Sequence, residues 1–223
     1  MRNRVMTIKG KNAMSTGNTS HLQARAEGGT GAASGIPRLA GEGEKLRSRA
    51  QQLSLREQIE RNHFLLQRLN AASARLLQAL ETGDVHAAIG EIIANLIGSE
   101  QVAIFHYCPA DEALLLDWSW GVEADTLRRF APGTGMMGRA VNEGATQFRE
   151  RLTGISLPSH EEKLTACVVL KSNREIAGVV AIFGLLPQKD RLEWADFELL
   201  KFLETYAAVA IRFCRLREKG VTP

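Results

Sequence analysis

The chain has 223 residues, of which 44 % are hydrophobic and 24 % charged, the balance of a soluble globular protein. Three cysteines are too few for a disulfide framework, which points to a reducing compartment and a cytoplasmic setting. No run of eighteen apolar residues predicts a membrane span, and the basic N-terminus lacks the apolar core of a secretory signal.

The formal charge of +3 is unevenly spread. Residues 1–41 carry Arg2, Arg4, Lys9, Lys11, Arg25 and Arg38 against Glu27 alone, a net +5. The other 182 residues carry 22 basic and 24 acidic side chains, a net −2. Eight of the twenty glycines lie before residue 44, and the first aromatic residue is Phe64. Such a stretch buries too little apolar surface to offset its ordering entropy, so residues 1–43 are expected to be disordered. Its charges form no dense run, so it reads as a solvated tail. Nucleic acid is therefore not the favoured partner, and a regulator acting on nucleic acid through this tail is kept as an alternative.

Residues 44–82 form the second segment, and from Glu44 to Glu81 neither Pro nor Gly interrupts the chain. Leu55, Ile59, Asn62, Leu66, Leu69, Ser73, Leu76 and Leu80 recur at steps of four and three, a heptad seam. Leu65 and Leu77 widen its apolar face. The spacing predicts a long helix that pairs with a second copy through Leu55, Ile59, Asn62, Leu66, Leu69 and Leu76 and docks on the following domain near Leu76–Leu80. A homodimer is the expected assembly.

Residues 83–223 form the third segment. Thr82-Gly83-Asp84 ends the long helix, and Asp84 starts a second over about 85–97, stopped by Gly98. Strands are predicted at 101–107 and 113–120, joined by a turn at Pro109–Glu112. Alternation puts Leu114, Leu116, Trp118 and Trp120 on one face of the second strand. Residues 123–130 read as a short helix, 132–135 as a tight loop, 136–143 as a helix stopped by Gly144, and 147–149 as a brief edge strand. Residues 151–163 show no period. Strands at 164–171 and 176–185, joined by a turn at 172–174, precede a helix over 193–219. Its expected core face is Phe197, Leu200, Leu203, Ala207, Ala210 and Cys214. Strand runs with helices at the ends define an α+β class: a central antiparallel sheet with helices packed on one face.

This order carries a set of landmarks. They are Asp84-Val85, Val102-Ala-Ile-Phe105, Ser119-Trp-Gly-Val122, and Gly133-Thr-Gly-Met-Met-Gly138-Arg-Ala-Val141 with Gly144. Cys167-Val-Val-Leu-Lys171, Gly178-Val-Val-Ala-Ile-Phe183, Asp196-Phe-Glu-Leu-Leu200 and Ala207-Ala208 follow. Together they resemble the GAF domain over residues 84–216, about 60 % of the chain. The resemblance implies a bacterial signalling module with a small-molecule pocket at the sheet's front, roofed by loop helices. It also implies dimerisation through flanking helices. The side chains it would place at that pocket are Trp118, Trp120, Phe130, Met136, Met137, Phe148 and Cys167, with Arg139 and Arg149 as polar contacts to an anionic ligand.

Other chemistries fit less well. Gly133-x-Gly135-x-x-Gly138 matches the dinucleotide fingerprint in form, but no strand precedes it and no βαβ unit surrounds it. Its glycines are expected to take positive φ in a tight turn. Some GAF proteins reduce free methionine sulfoxide with clustered cysteines; Cys108, Cys167 and Cys214 lack that local motif and read as small core residues. No Cys-His pair suits a bilin, no cyclic-nucleotide signature occurs, and the five histidines are scattered. The residues name no cofactor, metal or ligand. A non-catalytic module is expected, and since only Lys219–Pro223 follow the last helix, its output partner is expected to be a separate protein.

Overall fold

A computed structural model describes residues 37–131, 133, 135–154, 156–172 and 175–220. The expected disorder of residues 1–36 and the turn residues Asn173 and Arg174 lie outside the described residues. The chain divides into two units, Met1–Ala50 and Gln51–Pro223. In the first, the described residues are helical from Pro37. Helix α1 thus spans Pro37–Thr82 and starts before Glu44, at a proline whose fixed φ suits a first helical position.

In the second unit, α1 ends at Gly83, whose φ of 88° closes the turn without a side-chain clash. Helix α2, Val85–Ile92, continues into a π turn over Ile93–Ile97 and stops at Gly98. Strands β1 (Val102–Cys108) and β2 (Ala113–Trp120) form a hairpin. The predicted helix at 123–130 is instead a single 3-10 turn, Ala124–Leu127, and a two-residue strand β3, Arg129–Phe130. Leu114 and Leu115 of β2 pair with that strand, so sheet pairing overrides local helical preference. Helix α3 is Met136–Glu143 and β4 is Gln147–Phe148. Strands β5 (Ala166–Ser172) and β6 (Glu175–Ile182) precede α4, Trp194–Glu218.

The sheet has six antiparallel strands in the order β3-β2-β1-β6-β5-β4. Both edge strands have two residues, too short to template pairing with another chain. The three central strands are covered on both faces, which explains their nearly unbroken apolar runs. One face buries Val102, Ile104, Val168, Leu170, Val180 and Ile182 against α1, α2 and α4. The other buries Ala103, Phe105, Cys167, Val169, Val179 and Ala181 against α3 and its flanking loops.

Candidate functional site

The site implied by the resemblance lies on the α3 face. Met136, Met137 and Cys167 meet there, each fully buried in one apolar cluster with Phe105, Leu114 and Leu164. The protein's own side chains therefore occupy the space between the sheet and α3.

Trp118, Trp120 and Phe148 stand elsewhere. Between Ile104 and Phe105 the β1–β2 register slips, pairing Ile104 with Trp118 but Phe105 with Leu116. Asp117 is the extra residue of a β-bulge, and the bulge turns Trp118 to the opposite face from Leu114 and Leu116. Trp118 packs with the helical core against Gly90 of α2. A Cβ at Gly90 would lie 2.2 Å from the Trp118 ring, so only glycine admits the indole. Trp120 is 41 % exposed at the strand end. Phe148 also faces the helical side, edge-on to Phe197 with centroids 4.8 Å apart. Arg139 is exposed and pairs with Glu143 at 2.6 Å, while Arg149 Nη1 donates to the carbonyl oxygen of Glu162 at 2.5 Å. The Phe130 backbone pairs with Leu114.

The structure adds Glu161, from the stretch without period. Its carboxylate, 2 % exposed, accepts the backbone N–H groups of Met136 and Met137, the latter at 3.0 Å. These are unpaired donors at the start of α3, where the helix dipole favours negative charge. No local pattern marks Glu161, because its partners lie 24 and 25 residues away. The glycine motif is the visible half of the arrangement. Its described glycines are not at positive φ, contrary to expectation. They are needed for close approach: a Cβ on Gly135 would sit 2.2 Å from the Glu161 carboxylate, and one on Gly138 would sit 1.8 Å from the Gly133 carbonyl oxygen.

This geometry bears on thiol chemistry. Burial, and secondly the nearby Glu161 charge, push the Cys167 thiol well above its usual range. Burial likewise raises Cys214. A reductase needs an accessible thiolate, and Cys167 has neither property. Among the described residues no His, Cys, Asp or Glu group is arranged to hold a metal ion.

At the rim of the α3-side core lies a cavity of about 410 Å³, lined in part by Gln101, Leu127, Ser159, Lys163 and Phe183. Leu127 and Phe183 also belong to the buried cluster, and the loop supplying Ser159 and Lys163 carries Glu161. Polar rim and apolar floor make this the candidate ligand site.

An antiparallel sheet between a helical layer and a loop-and-helix roof defines the class of fold, and its relatives in space are specific. Residues 122 to 287 of a methyl-accepting chemotaxis protein match with 16 % identity and a TM-score of 0.51, over 66 % of this chain and 98 % of that one. The GAF domain of a phosphoenolpyruvate-protein phosphotransferase from Coxiella burnetii matches with 14 % identity and a TM-score of 0.51, over 71 % and 97 %. The GAF domain of the Acinetobacter phosphoenolpyruvate-protein phosphotransferase matches with 15 % identity and a TM-score of 0.50, over 71 % and 96 %. No family model and no curated protein matches the chain. The fold is GAF-like.

Proposed function

We propose that the chain is a non-catalytic regulatory module of the cytoplasm, which senses a small molecule or a partner protein. It relays the change through its flanking helices to a separate output protein, and two copies pair through those helices. One observation carries this reading: an exposed apolar stripe runs along α1 and is joined by α4. Leu55, Ile59 and Leu66 are 57, 58 and 64 % exposed, and Asn62 is also exposed. Leu69 is half-buried and Leu76 is buried on the protein's own core at the floor of the stripe, which continues through Ser73, Leu77 and Leu80. There it meets Phe202, Tyr206, Val209 and Phe213 of α4 around an apolar groove of about 290 Å³. The α4 residues recur at steps of four and three, a second seam beside the first. A pair of copies would bury both seams in a four-helix contact.

The free cysteines suit a reducing compartment, and among the described residues no helix is long and apolar enough to cross a membrane. The rim cavity supports sensing, because an occupant would touch the loop that anchors α3 through Glu161. Size-exclusion chromatography with light scattering at micromolar concentration tests the pairing. A dimer of the 24.5 kDa chain is expected, and a clean monomer would sink relay by pairing. Native mass spectrometry of freshly purified protein tests the sensing: a retained small molecule, lost on Leu127→Trp, is the expected result.

A further inference from the structure

Arg68 stands within α1 and is 8 % exposed. Its guanidinium donates to the Leu96 carbonyl oxygen in the π turn and to Asp196 Oδ1 at 2.6 Å. Asp196, on α4 and 1 % exposed, also binds Lys189 Nζ at 2.7 Å and accepts the Glu193 backbone N–H at 2.7 Å. Lys189 donates in turn to the Ile97 carbonyl oxygen at 2.6 Å. One buried carboxylate thus holds two cations, and those cations close two carbonyls at the end of the α2 segment. Four pieces of chain meet at this point: α1, the π turn, the connection from β6 to α4, and the first turn of α4.

A buried ion pair of this kind is no better for stability than a well-packed apolar cluster, but removing one partner is costly. What it contributes beyond packing is a contact that is either made or broken. The rest of the α1 docking surface buries Ala72, Leu76 and Ala79, with Leu69 and Leu80 partly buried beside them. It adds the Arg75–Glu91 ion pair to α2 and a bond from the Arg217 guanidinium to the Leu80 carbonyl oxygen, both more exposed than the Arg68 contact. Residues 51–64, on the other side of Arg68, are exposed throughout. Lys189 is the member of the network that meets solvent, 22 % exposed on the wall of a cleft of about 420 Å³ that Arg149 and Arg191 also line.

We propose that the 65–82 part of α1 is a separately releasable lever, and that Arg68, Asp196 and Lys189 form its latch. A change at the 184–192 connection moves Lys189, shifts Asp196 and frees Arg68. This rests on the relay reading above and names the contact through which the relay acts.

Amide hydrogen exchange on the full chain tests it, in an Ile59→Glu background that removes any pairing through the exposed stripe. Without further substitution, amides of residues 66–82 should exchange through an opening that leaves β1, β5 and β6 protected. If they exchange only together with the sheet, there is no lever. Arg68→Met keeps the apolar stem and leaves Asp196 paired with Lys189, so the domain keeps its fold. It should speed exchange in 66–82 by about tenfold, the scale of one lost hydrogen bond to a charged group. Lys189→Met, a change at a residue whose polar partners are Asp196 and the Ile97 carbonyl oxygen, should also speed exchange there. Unchanged α1 protection in both variants, or an equal loss in α1 and the sheet, would overturn the latch. Light scattering of the chain without Ile59→Glu reports separately on pairing, so a monomer with a working latch would remove the dimer and keep the lever.

Discussion

Glu161 and Cys167 show how much one residue's surroundings decide. The Glu161 carboxylate satisfies two backbone donors that burial would otherwise leave unpaired. Glu161→Gln keeps the size but turns an N–H₂ toward one of those donors. It should cost about 1–3 kcal/mol, read as a lower urea midpoint with an unchanged slope. An unchanged midpoint would mean that the carboxylate does not hold α3. Cys167 makes the opposite prediction, one of inertness. A thiol reagent should label Cys108, which is half-buried, in the native protein, and Cys167 only after unfolding. Native labelling of Cys167 would reopen the reductase reading. Gln147 and Phe148 show the limit of residue-level reading: β4 pairs them with Cys167 and Ala166, yet neighbours in the chain point to opposite faces.

At the scale of elements, the bulge in β2 has the widest effect. The alternation of Leu114, Leu116, Trp118 and Trp120 is plain in the sequence, but an extra residue inverts every face beyond it. Asp117 becomes a junction. It takes His106 Nδ1 at 2.6 Å, faces His86 Nε2 at 3.7 Å and binds the Arg215 guanidinium, which joins α2, β1, β2 and α4. His86 Nε2 is buried with no hydrogen-bond partner among the described residues. Burial lowers the His86 pKa from 6.5; Arg215 and His106 add to that shift, and Asp117 and Glu218 oppose it. The folded state therefore favours the neutral ring, and on acidification the unfolded chain binds the proton first. The His86 contribution is complete above pH 6.5 and is lost as pH falls below it. The urea midpoint should drop between about pH 7.5 and pH 5.5, and it should drop less in His86→Phe. Equal drops in both proteins would remove His86 as the cause.

For the whole molecule, the two apolar seams make one statement about assembly. A single charge at the centre of either should disperse a dimer, because two copies would bring like charges together in an apolar contact. Ile59→Glu and Tyr206→Glu are both expected to give monomers by light scattering, with sheet stability intact since both positions are exposed. If Ile59→Glu alone dissociates the pair, the contact is a coiled coil of α1 and α4 takes no part.

The order of the helices and of the four long strands, the end of α1 at Thr82, the span of α3 and the apolar central strands were legible from the sequence, while β3 was not. They depend on local periodicity, capping and turn residues, which neighbouring positions express. Glycine spacing marked a tight turn before α3, but that the glycines serve close approach rather than positive φ came only from the fold. Tertiary structure alone decided the face of Trp118, which side of α1 docks, and the roles of Glu161, Arg68 and Asp196. Each depends on a partner far along the chain: Arg68 and Asp196 are 128 residues apart. A charged residue in a helix or loop reads as solvated until the fold brings its counter-charge and removes the water, and no local pattern records that event.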